Sequence, residues 1–180
     1  MRMGMVAAAM AAGLAMLTGA CARDTESSTA AALGQRSAMA PMLTATGQEA
    51  GRATATEVEG GVRFTADVSA LPPGTHGIHV HTTGRCDAPD FTTAGPHWNP
   101  TARQHGTQNP QGPHLGDMPN LIVGADGRGV IGITIPGATL DGLLDADGAA
   151  MVVHAATDDL RTDPSGNSGG RIACGVFQPA

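Results

Sequence analysis

The stretch GVRFTADV, residues 61–68, alternates strictly: Val62, Phe64, Ala66 and Val68 share one face, and Arg63, Thr65 and Asp67 share the other. A period of two with one apolar side is the pattern of a strand lying on a core with its other face wet. Working outward, Glu59-Gly60-Gly61 supplies a turn ahead of it, and Glu49 to Val58 reads as a noisier strand before that turn. Leu71-Pro72-Pro73-Gly74 is a further turn, and His76 to His81 runs as the next strand. Leu121-Ile122-Val123 and Val130 to Ile135 flank Ala125-Asp126-Gly127, a hairpin signal. Asp147-Gly148 precedes a short apolar strand, Ala149 to Ala155; Asp158 to Gly170 is a polar loop; Ile172 to Phe177 is a last strand. No segment combines helical periodicity with caps. Short strands with frequent turns predict an all-β sandwich or barrel.

At 180 residues the chain has room for one domain with appendages. Its net charge is -6 and all ten basic residues are arginines, so it lacks the basic face that a nucleic-acid partner would need. Only 2% of residues are aromatic: Trp98, Phe64, Phe91 and Phe177. A core of Val, Ile and Ala with few rings gains from staples such as a disulfide or metals. The three cysteines, Cys21, Cys86 and Cys174, allow at most one internal bridge.

Residues 1–22 read as a signal peptide: Arg2, an apolar run rich in Ala, Met and Leu, then the small residues LTGAC. Three fates stand open. Thr18-Gly19-Ala20-Cys21 resembles a bacterial lipobox, although Leu17 stands four residues before the cysteine rather than three; the signal would then be 1–20 and Cys21 the lipidated N-terminus that tethers the protein to a membrane. Ala20-Cys21-Ala22 is also an ordinary A-x-A cleavage site, and an uncleaved anchor is the third reading. All three place the domain outside the cytoplasm, with the periplasm as the expected compartment. Residues 23–40, small and polar without periodicity, read as a flexible tether, and residues 41–180 as the folded domain.

Between the strands lies Gly77 to Asp117, which holds five of the seven histidines: His79, His81, His97, His105 and His114. Gly and Pro recur through it, so it is a long loop rather than a core. His79 and His81 sit at i and i+2 on one strand face, where two imidazoles can reach one ion or simply face solvent. His97, His105, His114 and Asp117 make three imidazoles and one carboxylate, a complete four-coordinate set that suits zinc. His154, alone in an apolar strand, fits a hydrogen-bonded core residue.

In order along the chain, GIHVH, AGPHWNP, HG, HLGD with PN after it, VVHA and GNSGGRIACGV resemble the copper/zinc superoxide dismutase family, over roughly Pro41 to the C-terminus. The spacings from His97 to His105, His114 and Asp117 are eight, nine and three, as in common members. The resemblance implies a Greek-key β-barrel or sandwich of about eight antiparallel strands with long metal-binding and electrostatic loops. It implies one copper and one zinc per subunit and the dismutation of superoxide to dioxygen and hydrogen peroxide. His79, His81, His97 and His154 are the implied copper ligands, and His97, bridging, is shared with the zinc set His105, His114 and Asp117. His76 is implied to be structural, behind the site. Asp158 is implied to link His79 and His105, with Asp159 as its rival. Arg171 is the implied anion guide beside the copper, and Cys86–Cys174 the implied disulfide. Cys86 stands eleven residues before His97, farther than in animal cytosolic members and like several bacterial ones. The competing readings are a superoxide-dismutase-like protein that binds or delivers copper without turnover, and a surface domain with a vestigial site. Homodimers and monomers both occur in the family.

Overall fold

The computed structural model describes residues 35–180; the signal pattern, Cys21 and tether residues 23–34 lie outside the described residues. The strands are β1 (Ser37–Thr44), β2 (Glu49–Val58), β3 (Gly61–Val68), β4 (Gly74–His76), β5 (Ile78–His81), β6 (Leu121–Val123), β7 (Gly129–Pro136), β8 (Ala150–His154), β9 (Arg171–Val176) and β10 (Gln178–Pro179). One sheet runs β5-β8-β9-β1-β2-β3-β7 with β10 also on β1, and β4 pairs with β6. Every pairing is antiparallel, as the all-β reading requires.

The β2–β3–β7 part follows the alternation closely. Val62, Phe64, Ala66 and Val68 are fully buried, and Phe64 meets Phe177 edge to face with centroids 6.0 Å apart. Elsewhere the expectation needs correction. The tether does not extend to Ala40: Ser37–Ala40 already belong to β1, with Ala38 and Ala40 fully buried. Alanine fits a thin core between two sheet faces, yet it carries too little hydropathy to mark a strand. The single strand expected at His76–His81 is two, because Gly77 breaks the ladder. Thr75 pairs with Ile122 in β6, whereas His79 pairs with Val152 in β8. Gly77 lies against the far loop, where an added Cβ would meet the Ser168 Cβ at 2.8 Å. A one-turn helix, α1 (Leu140–Leu143), is capped by the Thr139 hydroxyl, which accepts from Gly142 N–H; four residues are too few to show periodicity.

Two apolar clusters fix where the long loops lie. Ile78, Val80, Met151 and Val153 point into the main core. On the opposite face of the same sheet, Ala150, Val152 and Cys174 pack against Phe91 and Ala94 of the loop. All residues of β5 and β8 are therefore buried, and His79, His81 and His154 lie under the loops rather than in water.

The β8–β9 ladder carries an irregularity that aims one side chain. Val152 faces Cys174, Val153 faces Ala173, and His154 then faces Arg171, so Ile172 is the extra residue. Arg171 and Cys174 are three apart and would face opposite sides of a regular strand; the bulge brings both to the loop side.

Cys86 and Cys174 form the disulfide, with Cα atoms 5.7 Å apart and a sequence separation of 88. A cross-link of that span stabilises mainly by constraining the unfolded chain, by about 4–5 kcal/mol. We expect the Cys86→Ser/Cys174→Ser protein, compared with its parent in metal-free form, to lose about that much in urea unfolding; an unchanged midpoint would contradict this account.

Candidate metal centre

The loop and strand ends bring six imidazoles and two carboxylates together. His79, His81, His97, His105, His154, Asp117 and Asp158 are all at most 5% exposed, and His114 is 7% exposed. Uncompensated polar groups are costly to bury, so the partner of each ring nitrogen decides what the cluster can do.

Three imidazoles have their outer nitrogen occupied by a single acceptor. His79 donates through Nε2 to Asp158 Oδ2 at 2.7 Å, leaving Nδ1 buried and without a partner. His81 donates through Nδ1 to the Gly95 carbonyl at 2.8 Å, and His154 through Nδ1 to the Gly169 carbonyl at 3.2 Å. Their Nε2 atoms then face each other at 3.3 Å. His97 contributes Nε2, again buried and unpartnered. His79, His81, His97 and His154 thus offer four nitrogens to one point, all within 4.8 Å of one another.

A second set converges on Asp117 Oδ1. His97 Nδ1 lies 2.9 Å from it, His105 Nδ1 3.0 Å and His114 Nδ1 3.2 Å. His97 and His114 turn their Nδ1 atoms toward each other at 3.4 Å. The other carboxylate oxygen, Oδ2, accepts backbone N–H groups from Gly106 and His114, which leaves Oδ1 for a cation. Proximity alone also groups His79 with His97, His105 and Asp117. Bonding argues against that grouping, because His79 is held by Asp158 with Nδ1 in the first set. Two orphaned nitrogens, and a cluster of nitrogens turned toward one oxygen, are what a pair of cations would satisfy. Four imidazoles suit copper, and three imidazoles with a carboxylate suit zinc. The residues fit both metals.

Asp158 joins the two sets. Its Oδ2 accepts from His79 and its Oδ1 from His105 Nε2 at 3.0 Å. The rival, Asp159, instead caps its own loop, accepting from Arg161 N–H and Thr162 N–H. Sequence reading missed Asn120, which clamps the Asp158 backbone in both directions: its Nδ2 donates to Asp158 O and its Oδ1 accepts Asp158 N–H, each at 2.8 Å. The Asn in PN after HLGD was the available signal. Gly166 is obligatory here, since φ is +62° and a Cβ would land on the Asp158 carboxylate. His76 stands behind the site, with Nδ1 against the His154 carbonyl at 2.8 Å and Nε2 against Pro72 O at 2.9 Å.

Arg171 is fixed from the loop as well. Its Nη1 donates to Phe91 O at 2.6 Å and its Nη2 to Gly95 O at 2.7 Å. A cavity of about 360 Å³ opens beside it, lined by His81, His97, His154, Ser165, Gly169 and Arg171 among others. A larger one of about 660 Å³ lies between the 101–117 segment, with His114 and Asp117 in its wall, and Ile133–Pro136, and Arg171 does not line it. The smaller cavity is the one that reaches the four-nitrogen set and a cation together.

Burial sets most of the protonation states. It pushes His97 down to about 4 and His154 to about 3, with neighbouring imidazoles adding to the effect, and it holds His79 and His81 low. His105 goes the other way: burial opposes its charge, but Asp117 and Asp158 on its two nitrogens raise it to about 9. Both carboxylates lie below their usual range, because imidazole hydrogen bonds outweigh burial.

The family described as copper/zinc superoxide dismutase (SODC) matches residues 49–177. The chain is 42% identical over 149 residues to the Cu-Zn superoxide dismutase of Caulobacter vibrioides, spanning 79% of this chain and 86% of that protein. It is 40% identical over 138 residues to Cu-Zn superoxide dismutase 1 of Aquifex aeolicus, spanning 73% and 82%. Among solved structures, a SOD-like protein from Bacillus subtilis, in a double mutant with a tyrosine and a proline each replaced by histidine, superposes with a TM-score of 0.73 at 39% identity, covering 77% of this chain and 95% of that one.

Zinc held by His105 would have to displace the proton that this imidazole carries below about pH 9 in the metal-free protein. Apparent zinc affinity should therefore rise roughly tenfold per pH unit from 7 to 9 and then level off, with about one proton released per zinc at pH 7.5. Calorimetric titration in buffers of different ionisation enthalpy reads both; no proton release at pH 7.5 would refute the assignment.

Proposed function

The chain belongs to the copper/zinc superoxide dismutase family, and on that premise we propose that it converts two superoxide ions and two protons to dioxygen and hydrogen peroxide. The observation that carries the proposal is the pairing of a complete two-set ligand cluster with Arg171 at the mouth of the cavity touching the first set. His79, His81, His97 and His154 would hold copper; His97, His105, His114 and Asp117 would hold zinc, with His97 shared. Copper supplies one-electron exchange with superoxide, while zinc supplies fixed charge and holds its loop.

The chain's own residues supply the rest. Arg171 offers the cavity a cation in a protein whose net charge is -6, so it draws in and seats a small anion that the rest of the surface repels. Its two carbonyl partners aim the guanidinium without neutralising it. His97 Nε2, buried and free of other partners, is where the chain can hold one of the two protons. His97 Nδ1 stays beside Asp117 throughout, which keeps the ring in place. The second proton comes from water in the open cavity. Asp158, Gly95 O and Gly169 O fix the tautomers of His79, His81 and His154, so each presents the unprotonated nitrogen inward.

A copper-binding or copper-delivering relative without turnover remains the alternative to test. Retention of every ligand together with Arg171 favours the enzyme. Arg171→Ala is expected to lower the superoxide rate about tenfold or more with both metals still bound, and to flatten the fall in rate with added salt. Full turnover in that variant would overturn the role of Arg171. His81→Ala and His154→Ala should lose copper and activity together. A parent protein carrying both metals yet inert toward superoxide would establish the alternative.

We also infer export, supported by the Met1–Ala20 signal pattern and by a disulfide that needs an oxidising compartment. Mass spectrometry of the mature protein should find a new N-terminus at or just after Cys21, with a diacylglyceryl mass on Cys21 if it is a lipoprotein. An intact Met1 in cytosolic protein would contradict export.

A further inference from the structure

Four imidazoles of the cluster, His79, His81, His105 and His154, each turn one nitrogen to the metal cluster and the other to an acceptor. Asp158 serves His79 and His105; carbonyls of Gly95 and Gly169 serve His81 and His154. His114 has no carbonyl partner at Nε2. The oxygen that faces it is Asp163 Oδ1 at 3.8 Å, an ion-pair distance longer than a hydrogen bond. The same Oδ1 accepts the backbone N–H of His105 at 2.7 Å, which pins it in place.

Resting on the zinc reading of this set, we propose that Asp163 is a positioning residue for the zinc half of the centre. One anchored carboxylate oxygen fixes the backbone of His105 and provides the negative charge toward which the outer N–H of His114 points once Nδ1 is ligated. Three features support it. A histidine bound to a metal through Nδ1 must carry its proton on Nε2, and such a proton is usually met by a carboxylate or carbonyl that orients the ring and raises its basicity. The His105 N–H is a buried loop donor that needs an acceptor from outside its own segment, and Asp163 supplies one from 58 positions away. Asp163 also directly precedes Pro164 and Ser165, which line the cavity beside Arg171. Asp158 and Asp163 thus join the hydrogen bonds of Gln108 and Asn109 in fastening the 158–170 loop to the 97–117 segment. Its carboxylate is half exposed, so water screens its charge and the effect is smaller than that of a fully buried partner.

Two variants of the full chain separate the parts of this role. Asp163→Asn keeps an oxygen for the His105 N–H but removes the charge, and Asp163→Ala removes both. Zinc affinity is measured by competition with a chromophoric chelator. Cobalt(II) placed in the zinc set gives the ligand-field spectrum, and copper content and the thermal midpoint serve as controls. We expect zinc affinity to fall by about 3- to 10-fold in the Asn variant and about 10- to 100-fold in the Ala variant, with shifted cobalt bands in both. Copper content should be unchanged, and Asp163→Glu should recover part of the loss. An Asn variant that binds zinc and cobalt as the parent does overturns the proposal. If instead the parent itself gives no tetrahedral cobalt spectrum, the zinc reading fails first, and the two failures are told apart by the parent alone.

Discussion

Six imidazoles and two carboxylates buried in one contiguous cluster form the constraint on which the rest of this structure depends. Charges held away from water are tolerated only when each is paired or neutralised. The sheet and the loops divide that task. Strand ends deliver His79, His81 and His154 from one face, the long loop delivers His97, His105, His114 and Asp117, and Asp158 reaches across to both. Without cations the cluster settles its own balance: burial keeps His97 and His154 neutral, and His105 takes a proton between two carboxylates. Ligand atoms are therefore already turned inward, because the outward nitrogens are occupied by acceptors that belong to the fold.

The alanine-rich core and the apolar packing of Phe91 and Ala94 on the outside of β8 and β9 serve the same end. They roof the histidine-bearing strands with a loop that would otherwise lie in water. The disulfide and the two hydrogen bonds of Arg171 hold that roof along its edge. Arg171 reaches the cavity only because Ile172 is an extra residue in its strand.

Much of this was legible in the chain, for uneven reasons. Strict alternation at Gly61–Val68 revealed its strand because large apolar and polar residues contrast there. The same period in β1 was hidden, since Ala38 and Ala40 differ little from their neighbours in hydropathy. The break at Gly77 escaped notice because it depends on partners some 45 and 75 positions away, His76↔Leu121 and Ile78↔Val153. In the centre, residue types suggested the set His97, His105, His114 and Asp117, the family resemblance added the implied copper ligands with His154 among them, and geometry decided between Asp158 and Asp159. The acceptors from Phe91, Gly95 and Gly169 are main-chain carbonyls, which any residue type could supply, so no pattern of side chains could announce them. Asp163, which acts on a backbone N–H and faces an outer nitrogen, was equally silent, whereas Asn120 was marked only by its place in the PN motif.

The reach of Asp158 has a bearing on how the protein matures. Strands β1, β2 and β3 close on one another through tight turns at Gly47 and Gly60, contacts that a chain can make early. Asp158, by contrast, meets His105 across 53 positions and His79 across 79, and Cys86 meets Cys174 across 88. Contacts of that span wait until the scaffold has brought their ends together. On these separations the meander is expected to form ahead of the centre, so that thiol oxidation and metal loading would share one late interval during which the loops are still open to solvent, oxidants and proteases.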